Sequence, residues 1–326
     1  MKLLKVYSRA SAPTKIILFG EHFVVYEKPA ILAAIEKRIY SSINIRNDNN
    51  INLNINNIHE EIDIDNISLL KDQGFTNLTH PLFIVIYDTL MRFNARFGLN
   101  VKIDSEVPFG SGLGTSAAVS ASLITTIFNL FGMFDKEEIF SLTLNAEKLI
   151  HNNPSGADPA ISISGGLIIF RKYNDNKMII PLEYDKELEF MIVYSGEERI
   201  TGKIVDNVRS MKDKNPQLFE IFANKSEEIT QDAIQALKNK DYSLVGKLMT
   251  KNHELLNRLG VSSQTLNRLV EHALNNGALG AKLTGAGGGG SIIVLFNAND
   301  RNRLLEAFKG NKIFVTKISN NGIRIE

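Results

Sequence analysis

The chain has 326 residues, about twice the ~150 of a single domain, so two domains are expected. Lysine and arginine total 37 against 36 acidic residues, a net charge of +1 that lacks the basic surplus of a dedicated nucleic-acid binder. There is no cysteine, which excludes disulfide frameworks, thiolate metal sites, iron–sulfur clusters and cysteine nucleophiles together. The N-terminal MKLLKVYSRASAPTK carries early lysines, as a secretion signal does, but Lys5, Ser8 and Arg9 interrupt any apolar core. No apolar stretch approaches the ~20 residues of a membrane-spanning helix, so a cytoplasmic protein without a membrane partner is expected.

In chain order, an apolar run at Ile16, Ile17, Leu18 and Phe19 reads as an early strand. Ile43 and Ile45, then Ile51, Leu53 and Ile55, then Ile62 and Ile64 alternate with polar residues, and residues 47–50 supply a turn. A helix is predicted over residues 81–97 and a short strand over 99–103. The glycine-rich PFGSGLG follows and runs into the small-residue segment TSAAVSASLITTIFNLFG. Asp135 and Glu138 make a capping-box-like start to a helix reaching about His151. Strands at 166–170 and 178–182 close the first domain, and the boundary is set near Asp185. Beyond it come a strand at 190–194 and helices over 217–238, 242–258 and 263–276, the last stopped by Gly277. KLTGAGGGG then precedes the apolar SIIVLF, and a helix and strand complete the chain.

The loop from Pro108 to Gly114 is the strongest local signal. Its three glycines let backbone N–H groups approach a ligand, and the helix that follows presents its positive end to an anion such as phosphate. A flexible strand-to-helix turn is the plainer alternative. No Walker A pattern occurs anywhere in the chain. Gly285 to Gly290 formally matches G-x-G-x-x-G, but a strand follows it where a dinucleotide site needs a helix. A hairpin turn and a second wall of a phosphate pocket both remain open for it. Ser116 reads either as a helix N-cap or as a hydroxyl ligand of a phosphate-bound magnesium. Glu147 shares a helical stripe with Phe140 and Leu144, and is either a solvated flank residue or a carboxylate aimed into a cleft to hold a cation. Asp158 before Pro159 is a common helix start, with Asp as N-cap. Lys15 beside an apolar strand is usually a snorkelling surface lysine.

Taken together, APTKIILFGEHFVVYEKPAILAAI, PFGSGLGTSAAVS, NAEKLIHNNPSGADP and KLTGAGGGG, in that order, resemble the GHMP family of small-molecule kinases. Within it the continuation after Gly-Glu-His is most similar to archaeal-type mevalonate kinases. The resemblance spans essentially the whole chain. It implies a two-domain α+β fold, with residues 1–185 ribosomal-protein-S5-domain-2-like and residues 186–326 ferredoxin-like, and the active site in the cleft between them. It also implies ATP and Mg2+ as cofactors, mevalonate as the small-molecule partner, and a homodimer. By that resemblance Pro108, Phe109, Gly110, Ser111, Gly112, Leu113, Gly114, Thr115 and Ser116 wrap the ATP phosphates. Gly285, Gly287, Gly288 and Gly289 close the same pocket. Ser116 and Glu147 match the magnesium positions, Asp158 the catalytic aspartate, and Lys15 the lysine that contacts it. Glu21 and His22 match the mevalonate pocket, and Thr201 a threonine that assists there. Pro159 departs from the family, whose members often place Asn or Thr after the aspartate. Lys15 and the Gly-Glu-His element are kept, unlike in decarboxylase and 3-hydroxyl-kinase relatives. Two alternatives stay open: a GHMP kinase for another alcohol (phosphomevalonate, homoserine or galactose), and a ligand sensor on the same fold. Sensing needs no proton acceptor, so Lys15, Ser116, Glu147 and Asp158 occurring together argue against the sensor.

Overall fold

Two long strands, β1 (Tyr7–Phe19) and β2 (Ala30–Ile45), pair antiparallel and form the backbone of the first domain. The computed structural model describes residues 3–73, 77, 79–150, 154–174, 176–197 and 201–326. Register shifts fall between Pro13 and Lys15 and between Ile17 and Phe19. Pro13 has no N–H to give to a ladder, and a bulge is where a strand tolerates that.

The hairpin β3 (Asn50–Ile55) and β4 (Ile58–Asp63) follows, then α1 (Ile67–Gln73), α2 (His80–Arg92) and β5 (Leu99–Ser105). Ile51, Leu53 and Ile55 are buried, as their alternation predicts, and the asparagines between them lie outward. The helix expected over 81–97 stops at Arg92, and Asn94 adopts φ 49°, which no helix continues through. Next come α3 (Thr115–Leu130), α4 (Lys136–Ile150), α5 (Ala157–Ser164), β6 (Leu167–Tyr173) and β7 (Asn176–Leu182). Asp135 caps α4 by accepting from the N–H groups of Glu137 and Glu138, both at 3.0 Å. Glu138 pairs with Arg92 instead of closing the capping box.

The first half of β2 pairs with β6 and the second half with β5, so one strand serves two neighbours. Against this sheet lies α3, buried from Ala117 onward. Its small residues let it approach β1 and β2 closely. Two of its hydroxyls bond back along the helix: Thr125 Oγ1 donates to Ala121 O and Thr126 Oγ1 to Ser122 O, both at 2.7 Å.

The second domain holds β8 (Glu189–Tyr194), α6 (Thr201–Lys214), α7 (Pro216–Lys238), α8 (Tyr242–Arg258), α9 (Gln264–Asn275), β9 (Gly280–Thr284), β10 (Ser291–Leu295), α10 (Arg301–Ala307) and β11 (Ile313–Lys317). Its sheet is antiparallel in the order β11-β8-β10-β9. The predicted helices correspond to α7, α8 and α9, with Asn215, Asp241 and Ser263 as their caps. Sequence reading did not anticipate α6 or β9. The final strand β12 (Arg324–Ile325) returns to pair with β1, so the end of the chain lies on the first sheet. Among the described residues no helix is long and apolar enough to cross a membrane.

One core cluster joins the domains. Ile16, Leu18, Phe19 and Leu113 from the first pack with Ile192, Ile293 and Leu283 from the second. The closest backbone approach within the second domain is between α8 and β9. A Cβ on Gly280 would lie 1.8 Å from Gly246 O, and one on Gly246 would lie 2.4 Å from the Leu279 carbonyl. Gly280→Ala is therefore expected to destabilise the protein by ~1–3 kcal/mol through backbone overlap. Thermal unfolding checks this, and an unchanged Tm would mean that α8 can back away from β9.

Candidate active site

The glycine loop from Pro108 to Gly114 connects β5 to α3, and Gly110, Gly112 and Gly114 take φ of 74°, 90° and 70°. A left-handed run of this kind turns successive N–H groups to one side, at the start of a helix whose positive end lies there too. Gly114 is the N-cap of α3, which leaves Ser116 at the second helical position. The N-cap reading of Ser116 is thereby corrected. Its hydroxyl instead donates to Glu147 Oε1 at 2.5 Å. Ser111 Oγ is buried in the loop and finds no partner among the described residues.

Gly114 has a second role. A Cβ there would lie 2.6 Å from Lys15 Cε and 2.7 Å from Lys15 Cγ, because the lysine stem runs directly over the loop. Lys15 is 3% exposed, so it does not snorkel to the surface. Its ammonium meets Asp158 Oδ1 at 3.0 Å. Asp158 stands at the second position of α5, whose N-cap is Gly156 at φ 85°, and Pro159 at the third. The capping reading of Asp158 is corrected by that register. A left-handed glycine starts the helix two residues earlier than the Asp-Pro signal suggests, and this frees the carboxylate for Lys15.

Glu147 lies on α4 and is 4% exposed, not a solvated flank residue. Burial pushes its carboxyl up to about 7, and the neighbouring Asp158 adds to the rise, while the Ser116 hydroxyl and Lys15 oppose it. Lys15, Ser116, Glu147 and Asp158 thus converge from β1, α3, α4 and α5.

The second glycine segment is the hairpin connection between β9 and β10, with Gly285, Gly287, Gly288, Gly289 and Gly290 all at positive φ. A Cβ on Gly287 would lie 2.0 Å from Val261 O, and one on Gly288 would lie 2.8 Å from Ile204 Cδ1 of α6. The two loops are stitched together where Ser291 Oγ donates to Ser111 O at 2.9 Å. The hairpin reading of this segment holds.

Glu21 and His22 occupy the turn after β1. His22 adopts φ 65°, and its Nε2 lies 2.9 Å from Ala286 O in the second loop. Glu21 is 1% exposed; it pairs with Lys282 and accepts from Asn252 Nδ2 at 3.0 Å. Thr201 opens α6, and its side chain lies outside the described residues. Lys282, the first residue of KLTGAGGGG, and Asn252 were not singled out in the sequence.

Residues 82–166 match the GHMP kinases N terminal domain and residues 233–312 the GHMP kinases C terminal domain. A mevalonate kinase of Pyrococcus horikoshii is 35% identical, with 98% of each chain covered. One of Aeropyrum pernix is 31% identical, again with 98% of each covered. The crystal structure of the Methanococcus jannaschii mevalonate kinase superposes with a TM-score of 0.84 at 30% identity, covering 96% of this chain and 98% of that one. The L. major mevalonate kinase in complex with R-mevalonate superposes with a TM-score of 0.81 at 26% identity, covering 98% and 99%.

The raised pKa of Glu147 predicts a pH dependence of stability. Its folded value of about 7 exceeds the ordinary 4.5, so the folded state binds the extra proton between those values. The penalty is absent below about pH 4.5, grows as pH rises and is complete above about pH 7. In metal-free protein, Glu147→Gln should gain stability on the wild type by up to ~3 kcal/mol as pH goes from 5 to 8. Parallel melting curves across that range test this, and a constant Tm difference would contradict it. The chain belongs to the GHMP kinase family, and its pair of buried Lys15 and partly exposed Asp158 lies over the first glycine loop.

Proposed function

We propose that this protein is a mevalonate kinase, transferring the γ-phosphoryl group of ATP to the 5-hydroxyl of mevalonate, in the cleft between domains that meet near residue 185. The observation that carries the reading is the contact of Lys15 with Asp158, 3.0 Å apart, directly over the glycine loop. Full-length relatives named mevalonate kinase support the choice of alcohol.

A primary alcohol is a weak nucleophile, and ATP repels anything that approaches it with electrons. Phosphoryl transfer therefore needs alignment, charge neutralisation and an acceptor for the alcohol proton. In this reading the N–H groups of residues 110–116 and the Ser111 hydroxyl bind the β- and γ-phosphates, and Gly285 to Gly289 cover them from the other domain. Asp158 accepts the proton of the 5-hydroxyl as the new P–O bond forms and the β–γ bridge breaks to release ADP. Lys15 orients that carboxylate and stabilises negative charge developing on the transferring group. His22 lines the alcohol side of the cleft, with Glu21 behind it, and Thr201 is assigned there by family resemblance alone.

The donor set also fits magnesium. One hydroxyl and one carboxylate, with nothing softer, suit a hard cation that keeps water and phosphate oxygens in its shell. A Glu147 carboxyl held near 7 is a charge that the protein alone under-compensates, which a cation corrects. Among the described residues no cluster of three or more His, Cys, Asp or Glu holds a metal unaided, so an ion here would be shared with the nucleotide. Mg2+, when bound, neutralises charge on the phosphates. Ser116 and Glu147 would hold it. A cytoplasmic homodimer is the family expectation that accompanies this reading.

The decisive experiment is ADP release with a panel of alcohols. Mevalonate should be phosphorylated at its 5-hydroxyl; turnover of phosphomevalonate, homoserine or galactose in its place would overturn the assignment, and no turnover with intact nucleotide binding would favour a sensor. Asp158→Asn keeps the shape but removes the proton acceptor. Its kcat should fall ~100-fold or more while ATP binding survives. Near-normal turnover in a folded variant would remove Asp158 from the chemistry.

A further inference from the structure

Every residue of β9 is buried, including a lysine. Lys282 is 0% exposed, and all three of its ammonium donors are used. It pairs with a carboxylate oxygen of Glu21, donates to its neighbour's carbonyl, Leu283 O, at 2.7 Å, and reaches Ile17 O at 3.3 Å. The second carboxylate oxygen of Glu21 is taken by Asn252 of α8. Burial pulls the lysine toward neutrality and the nearby Lys15 adds to that, while Glu21 opposes both. Beside it, the Leu283 N–H donates to His253 Nδ1 at 3.3 Å, and burial pushes that ring down to about 4, so it adds no charge at neutral pH.

A charge placed this deep is a costly way to hold a sheet together, because an apolar pair of similar volume is often as stable or more so. What it does supply is a fixed point. Glu21 belongs to the turn in which Gly20 takes φ 90° and His22 takes φ 65°. A Cβ on Gly20 would lie 2.4 Å from Pro29 O, so the chain has no other route there. His22 is in a conformation that a non-glycine residue holds only when its surroundings impose it. Its ring is fixed at the far end by Ala286 O, four residues past Lys282. The ladder between the segments is otherwise sparse: Ile17 N–H donates to Thr284 Oγ1 at 2.9 Å.

We infer that Lys282 is a positioning residue, whose ion pair with Glu21 clamps the Gly20–His22 turn of the first domain to the β9 glycine hairpin of the second. The clamp sets the His22 imidazole at the alcohol side of the cleft and fixes its separation from the phosphate side. Because Glu21 has both oxygens engaged inside the protein, it acts through this pair and does not touch the alcohol. The inference rests on the kinase reading for the location of the alcohol, but the clamp itself does not depend on which alcohol is used.

Lys282→Met tests the clamp, assayed well below its melting temperature. A residue that only maintains the fold would lower the active fraction, reducing kcat at unchanged KM. A positioning role predicts instead that KM for mevalonate rises ~10-fold or more, with the dissociation constant of a fluorescent ATP analogue altered less than ~3-fold. It also predicts that the His22 Cε1–H proton resonance, assigned with His22→Gln, moves from its wild-type position. If Lys282→Met does not fold, Lys282→Gln keeps one donor to Glu21 and is read in the same way. An unmoved His22 resonance, or a kcat-only defect, overturns the clamp. The resonance and the analogue binding need no alcohol, so failure of the wild type to use mevalonate would overturn the substrate assignment and leave this test standing.

Discussion

The structure depends on one lysine crossing one glycine. Lys15 reaches Asp158 by running its methylenes over Gly114, where a side chain would overlap them. That absence at residue 114 does two things together. It gives the loop the left-handed backbone that exposes its N–H groups, and it opens the groove through which the lysine approaches the reacting centre. The small residues at the start of α3 follow from the same demand, since the helix must press against β1 for Lys15 to lie across its first turn. A β-branched residue at 114 would close both functions at once.

Charge is balanced around that crossing in a way that only the tertiary structure reveals. Two buried lysines, Lys15 and Lys282, lie close enough that the first pushes the second toward its neutral form. Each is given its own carboxylate, Asp158 and Glu21. Glu147 keeps a raised pKa chiefly because it is buried, with the nearby Asp158 adding to it. Lys15 partly relieves it and Asp158 worsens it. On the kinase reading, the site would take positive charge at Glu147 and negative charge on the glycine loops. A metal-bound polyphosphate has that pairing of charges.

How much of this could be read from residues alone differs element by element. Alternation at Ile51, Leu53 and Ile55 gave β3, because a half-solvated strand writes its burial into its sequence. Helical patterning over 217–238, 242–258 and 263–276, the last stopped by Gly277, gave α7, α8 and α9 for an equally local reason. The convergence of Lys15, Ser116, Glu147 and Asp158 was reached through family resemblance, since nothing in their spacing states that four elements meet. Local signals misled where a tertiary demand overrode them. Asp158-Pro159 looks like a cap, yet Gly156 starts the helix earlier. Ser116 looks like a cap, yet the loop must end on a left-handed Gly114. The strand β9 escaped notice because Gly280 and Lys282 are poor strand formers in isolation. They are there because α8 needs Gly280 to approach and Glu21 needs Lys282 to pair.

The return of the chain end to the first sheet adds a last constraint on the cleft. Arg38, 4% exposed on β2, donates to Gly322 O at 2.6 Å and to Asn321 O at 3.1 Å. A Cβ on Gly165, just past α5, would lie 2.4 Å from Gly322 N, so this tail rests directly on the end of the helix that carries Asp158. The connection between β7 and β8 crosses between the sheets once, and the segment leading from β11 to β12 crosses back. Two crossings restrict how far the domains can separate. Asp158 and Lys15 are held within one unit, and the Ser291–Ser111 and Lys282–Glu21 contacts tie the connection at residues 285–290 to it.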